Sequence, residues 1–122
     1  MTPDQELLER ADAAAANAYA PYSMFSVGAA VRARDGKVFT GVNVENAAYP
    51  LGICAEKTAI ACAVTAGYGP GDLEAIAITA SPCGGCRQWL AEFKIGSVTY
   101  RRAGGALTAT TPAELLPDSF VL

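Results

Sequence analysis

Two short cysteine motifs constrain this chain more than any other feature. Cys54-Ala55-Glu56 is followed, 27 residues after Glu56, by Cys83-Gly84-Gly85-Cys86, and each motif opens a segment of helical character. Helix N-termini carry partial positive charge and free N–H groups, which lower thiol pKa values and stabilise thiolates. Cys83 and Cys86 are three residues apart, so a single turn directs both at one point. Gly84 and Gly85 permit the tight backbone between them. A fold that uses these residues together must bring two helix N-termini to one place, with Cys54 supplying a third thiolate.

The remaining cysteine chemistry points to a metal. The chain has four cysteines and no histidine. Its N-terminal run, Met1 to Glu6, is acidic and lacks the basic segment and apolar stretch of a signal peptide. Reduced thiols and a cytoplasmic location are therefore expected, and such thiols serve metals or catalysis more often than disulfides. Three protein ligands are the pattern of catalytic zinc, whose fourth position stays open for water; structural sites are closed by four. Cys62 lies eight residues past Cys54, some two turns along the same helix, and is expected as a buried small hydrophobe. Zinc with three thiolates keeps one net negative charge, so nearby cations are needed. Lys57 and Arg87, each directly after a motif, are candidates to hydrogen-bond the sulfurs. With no imidazole in the chain, Glu56 is the best general acid–base, placed to take a proton from a metal-activated water and return it to a substrate nitrogen. Cys-x-x-Cys alone also suits a redox pair, which ignores Cys54, or a structural zinc knuckle, which lacks a fourth ligand.

Size and charge bound the partners. A length of 122 residues predicts one domain, spanning 1–122. The chain is 52% hydrophobic and 17% charged, with mean hydropathy +0.23, which is rich for one small core and hints at subunit interfaces. The formal net charge is −3 and no Lys or Arg run exceeds the pair Arg101–Arg102. That balance disfavours a nucleic acid polymer and suits a small, neutral substrate. No apolar stretch reaches the roughly 18 residues of a membrane span, so no membrane partner is expected.

The pattern along the chain reads as α/β. Thr2-Pro3-Asp4-Gln5 carries a cap, a proline at the first helical position and a capping box, and the helix it opens is expected to end at Pro21. Val27–Arg34 and Lys37–Val44 flank Asp35-Gly36, a hairpin signal in which both turn residues tolerate positive φ. Cys54–Ala66 predicts a second helix, with Ala55, Thr58, Ala59, Cys62 and Ala63 on its small side and Gly67 as its stop. Leu73–Ala80 predicts a strand, Gly84–Phe93 a helix, and Ser97–Arg101 and Leu107–Thr110 two further strands. Thr111-Pro112 repeats the cap-plus-proline signature. Helices covering a mixed sheet follow from this alternation.

Cys-Ala-Glu followed by Pro-Cys-x-x-Cys resembles the zinc deaminases, and the all-cysteine form resembles the compact cytidine deaminases. The likeness extends to Pro21-Tyr22-Ser23-Met24-Phe25-Ser26-Val27-Gly28-Ala29-Ala30, Gly41-Val42-Asn43-Val44-Glu45-Asn46-Ala47, Tyr49 to Glu56, Ser81 to Gln88 and Leu115 to Phe120. The resemblance implies a three-layer α-β-α sandwich around a mixed sheet of about five strands. It also implies one Zn2+ per subunit on Cys54, Cys83 and Cys86, and hydrolysis of cytidine and 2'-deoxycytidine to the uridines and ammonia, in pyrimidine salvage. Glu56 would move the protons. Asn43 and Glu45 would bond the ribose hydroxyls, Phe25 would stack on the pyrimidine, and the Ala55 N–H and Pro82 carbonyl would position the base. Tyr49 and Phe120 would reach a neighbour's site in a homotetramer with sites at its interfaces.

Without the resemblance, Phe25 and Phe120 read as core, and Asn43 and Glu45 as shaping a strand exit. Two departures stand out: a single Ser81 separates Ala80 from Pro82 where many relatives carry a longer loop, and Lys57 replaces the usual arginine, losing its planar fork. Deamination of a modified nucleoside, cytosine editing in RNA or DNA, and a zinc-stabilised interaction module are the competing functions. Asn43-Val44-Glu45-Asn46 argues against the first, the acidic balance against the second.

Overall fold

Thr2 caps the first helix as its sequence predicts. A computed structural model describes residues 1–122, and in it the Thr2 hydroxyl accepts from the Gln5 N–H while the Gln5 side chain accepts from the Thr2 N–H, closing the capping box of α1 (Pro3–Ala15). The helix ends six residues before Pro21. Tertiary pairing is the cause: the Tyr19 N–H donates to the Asn43 carbonyl at 3.0 Å and the Glu45 N–H to the Tyr19 carbonyl at 2.8 Å. That parallel bridge between Tyr19 and Val44 competes with helical bonds for the same backbone groups.

Five strands form one mixed sheet: β1 (Gly28–Ala33), β2 (Val38–Val42), β3 (Leu73–Ile78), β4 (Ser97–Arg101) and β5 (Leu107–Thr110). Their order is β2-β1-β3-β4-β5, with β3–β4 parallel and the other pairs antiparallel. The parallel pair requires a crossover, which α3 (Gly84–Glu92) supplies. The hairpin between β1 and β2 uses only one positive φ, Gly36 at +95°. The Gly36 N–H donates to the Ala33 carbonyl and the Ala33 N–H to the Lys37 carbonyl, so a three-residue connection replaces the tighter turn expected, and Asp35 keeps an ordinary φ.

Alternation along the strands separates two cores. Ala29, Val31, Ile76 and Ile78 face Ala59, Ile60 and Ala63 of α2 (Ala55–Thr65) and Leu90 of α3. Ala30, Ala75 and Ala77 face Leu7, Leu8 and Ala11 of α1 on the other side. The result is the three-layer α-β-α arrangement, completed by the short α4 (Pro112–Leu115), capped by Thr111. Because Ala59, Ile60 and Ala63 turn toward the sheet, Cys62 is exposed, against the expectation of burial. Ile60 takes the buried place that the small-residue pattern had assigned to Cys62.

Close approach of α2 to β2 depends on Gly41. A Cβ there would stand 2.3 Å from the Ala59 nitrogen and 2.6 Å from the Ala55 carbonyl oxygen, both backbone atoms that cannot turn aside. Gly41→Ala should therefore lower stability by about 1–3 kcal/mol through overpacking. Gly36→Ala, in open space but at positive φ, should cost about 1 kcal/mol. Urea unfolding followed by the single Trp89 tests this; equal losses in the two variants would refute the packing argument.

Candidate metal centre and adjoining cavity

Cys54 and Cys83 are the N-cap residues of α2 and α3, both with extended backbone, and neither side chain makes a capping hydrogen bond. Cys86 follows in the first turn of α3. Cys54 is held in place by a two-way backbone pairing of Ile53 with Val44, each N–H···O contact 3.0 Å. A 3₁₀ turn at Tyr49–Leu51, which the sequence did not reveal, precedes it. Cys83 follows the end of β3, so the sheet and its crossover set the separation of the two helix starts.

The three sulfurs lie within 4.8 Å of one another, with Cys54 Sγ and Cys83 Sγ 3.8 Å apart. A disulfide needs about 2.05 Å; four ligands around zinc at about 2.3 Å stand about 3.8 Å from one another. The donor set therefore fits a tetrahedral ion. No fourth Cys, His, Asp or Glu joins the group, which leaves one position for a non-protein ligand.

Electrostatics separate these thiols from ordinary ones. Burial pushes the Cys86 thiol far up, and the charges of Glu56 and Cys54 add to it. Burial also raises Cys54, with Cys83 and Glu56 contributing against a bond from Cys86. Burial acts upward on Cys83 too, but the Cys86 backbone N–H and the thiols of Cys86 and Cys54 outweigh it and leave it lowered. Two thiolates at this spacing repel by about 4 kcal/mol at an effective dielectric of about 20. A helix N-terminus returns roughly 0.3–2 kcal/mol. Helix termini alone cannot ionise all three; a divalent cation can.

Glu56, in the first turn of α2, is the one buried charged side chain, 3% exposed. Burial raises its pKa, opposed by its own N–H, the Cys86 thiol and the charge of Lys57. Lys57 places its ammonium beside the glycine pair, 3.6 Å from where a Gly85 Cβ would stand. Arg87, a candidate to hydrogen-bond the sulfurs, directs two of its guanidinium nitrogens to backbone carbonyls instead. Its Nε donates to the Pro82 carbonyl at 2.9 Å and another guanidinium nitrogen to the Leu115 carbonyl at 3.1 Å.

A cavity of about 410 Å³ joins Cys54, Ala55, Glu56 and Cys83 to Phe25, Asn43, Glu45 and Tyr49. Phe25 is 61% exposed and Phe120 69%, so neither is core. Asn43 and Glu45 do shape a strand exit. Asn43 Oδ1 accepts from the Val27 N–H at 2.8 Å and its Nδ2 donates to the Phe25 carbonyl at 2.9 Å. Glu45 accepts from the Tyr22 and Ser23 N–H groups at 2.9 and 3.1 Å and from the Ser23 hydroxyl. These contacts coexist with lining the cavity. Pro82 and Phe120 do not line it; the Phe120 carbonyl accepts from Gln88 Nε2 at 3.0 Å. Tyr22, which reads as core or pocket from sequence, packs edge-on against Tyr49 with ring centroids 6.0 Å apart. Sequence reasoning missed Ser23, whose partner lies 22 residues away, and no local pattern signals such a contact.

This α/β arrangement with a three-thiol centre has close counterparts. The family profile described as the cytidine and deoxycytidylate deaminase zinc-binding region matches residues 1–102. The cytidine deaminase of Sporosarcina psychrophila is 43% identical, with 95% of this chain and 90% of that protein covered. A crystal structure of cytidine deaminase from Burkholderia pseudomallei superposes with TM-score 0.89 at 46% identity, covering 98% of this chain and 100% of the other. That from Mycobacterium tuberculosis gives 0.84 at 39%, covering 100% of both. The chain belongs to the cytidine and deoxycytidylate deaminase family.

The donor geometry predicts that serine at Cys54, Cys83 or Cys86 lowers bound zinc well below one ion per chain. Cys62→Ser should leave it unchanged. Metal analysis of the purified variants checks this, and equal zinc loss from Cys62→Ser would count against the three-sulfur centre.

Proposed function

We propose that this chain is a zinc-dependent cytidine deaminase, converting cytidine and 2'-deoxycytidine to uridine and 2'-deoxyuridine with release of ammonia. The observation that carries the reading is a buried carboxylate, Glu56, in one cavity with Cys54 and Cys83 of a three-thiol cluster that leaves a metal position open. Family membership and the relatives named cytidine deaminase support it. Cys54, Cys83 and Cys86 would hold the zinc, which when bound lowers the pKa of water toward neutrality and so makes a nucleophile available.

The chain's own residues do the rest. Glu56 accepts a proton from the attacking water and delivers it to N3 of the pyrimidine. It then helps protonate the amine leaving C4, so one water is consumed and one ammonia released. Its burial at the metal position puts one carboxylate within reach of both the proton donor and the acceptor, as general acid–base transfer requires. Phe25 supplies an aromatic face for the base, the Ala55 N–H and Pro82 carbonyl its edge, and Asn43 and Glu45 the ribose hydroxyls. Lys57 balances thiolate charge beside Gly85, and Arg87 holds the Pro82 carbonyl in place.

The reading extends to one domain over residues 1–122, to a homotetramer, and to pyrimidine salvage in the cytoplasm. Support for assembly comes from the surface: Tyr49, Leu51, Phe25 and Phe120 are each more than 60% exposed, large apolar side chains of the kind that mark subunit contacts. In a tetramer, Tyr49 and Phe120 would complete a neighbour's site. No helix is long and apolar enough to cross a membrane.

Loss of cytidine absorbance on adding zinc-loaded protein is the expected result, with Glu56→Gln at matched zinc content slower by about 10²–10⁴-fold. Absence of turnover by the zinc-loaded wild type would overturn the reading. Sedimentation equilibrium should return four times the 12.5 kDa chain mass; a monomer would refute the shared site.

A further inference from the structure

We infer that Ser23 is a positioning residue that ties the sugar-binding carboxylate to the aromatic wall of the cavity. The inference rests on the deaminase reading for what Glu45 and Phe25 bind, but on local geometry for what Ser23 does.

A carboxylate offers about four lone-pair directions, and three of those on Glu45 are taken from one dipeptide. Its Oε1 accepts both backbone N–H groups of Tyr22 and Ser23, while Oε2 accepts the Ser23 hydroxyl proton. One direction remains, and it lies on Oε2. The oxygen left for a substrate hydroxyl is thus the one whose position Ser23 sets. The Ser23 hydroxyl and the two backbone N–H groups also hold Glu45 ionised, with the hydroxyl the largest contributor, so the carboxylate is an acceptor at neutral pH.

The same hydroxyl works in the other direction. Having given its proton to Glu45, Ser23 Oγ accepts the Phe25 N–H at 3.0 Å. The Phe25 carbonyl is held by Asn43 Nδ2 at 2.9 Å. Both peptide units flanking Phe25 are therefore fixed by side chains, although the ring itself is largely exposed and has little packing to locate it. Met24, between Ser23 and Phe25, adopts a left-handed φ of +58° that a non-glycine residue rarely takes. That kink brings Oγ within reach of an N–H only two residues on. Ser23 is the sole side chain bonded to both Glu45 and the Phe25 segment.

Steady-state kinetics on cytidine, with all proteins at equal zinc content, test the inference. Ser23→Ala should raise KM by about tenfold, in line with losing a hydrogen bond to a charged group, and leave kcat within about threefold. Ser23→Thr, which keeps the hydroxyl, should restore KM. In a Glu45→Gln background, Ser23→Ala should add less than about threefold, because the two residues act as one unit. A loss in kcat alone, failure of threonine to rescue, or full additivity with Glu45→Gln would overturn it. A wild type that turns over while Ser23→Ala is indistinguishable from it would remove the inference and leave the deaminase reading standing. No turnover by the zinc-loaded wild type would instead overturn the deaminase reading.

Discussion

Charge concentration at the paired helix starts governs much of this structure. Three thiols within 4.8 Å and a buried carboxylate share one corner of the molecule, and each additional negative charge raises the cost of the next. Only helix termini and Lys57 offset it from within the chain. The fold is organised to make that convergence possible. The parallel pairing of β3 with β4 forces a crossover, the crossover is α3, and its first turn carries two of the sulfurs. Gly41 lets α2, the helix that Cys54 caps, lie against β2 at backbone contact distance.

The opposite wall of the cavity is built differently. It consists of the irregular segment before β1 and the exit of β2, joined by side chains rather than by a continuous ladder. Asn43 and Glu45 each bond that segment's backbone while lining the cavity. On the proposed reading, residues that read as either structural or ligand-binding are both at once. A carboxylate already oriented by three donors loses little freedom when a substrate hydroxyl arrives, so preorganisation follows from the structural role and does not compete with it.

Much of this was legible in the sequence where the signal is local. The capping box at Thr2, the cap and proline at Thr111-Pro112, and strands β4 and β5 follow from neighbouring residues and appear where expected. So does the Cys83–Cys86 pair, because Cys-x-x-Cys at a helix start needs only helical geometry, whereas the place of Cys54 beside it depends on the sheet and its crossover. Illegible features depend on distant partners. The early end of α1 is set by Tyr19 pairing with Val44, the 3₁₀ turn at Tyr49–Leu51 lies inside the loop closed by the Val44–Ile53 bridge, and Arg87 reaches the Leu115 carbonyl 28 residues away. The exposure of Cys62 depends on helix rotation, which Ile60 decides and small-residue spacing does not.

These two walls divide the work in a way the exposed rim makes clear. The metal side sits on helix starts backed by a core in which Ile60, Ile78 and Leu90 are fully buried, so its geometry tolerates little displacement. The opposite side is anchored largely by hydrogen bonds among exposed and half-buried groups, with Phe25 and Tyr49 open to solvent. Hydrogen bonds that water can replace contribute modestly on their own. On the proposed reading, a neighbouring chain covering Tyr49 and Phe25 would exclude that water, strengthening the Ser23–Glu45–Asn43 contacts at the same stroke as it encloses the substrate. Assembly and substrate recognition then draw on one set of residues, and the apolar excess of the sequence has a function beyond burial in a single core.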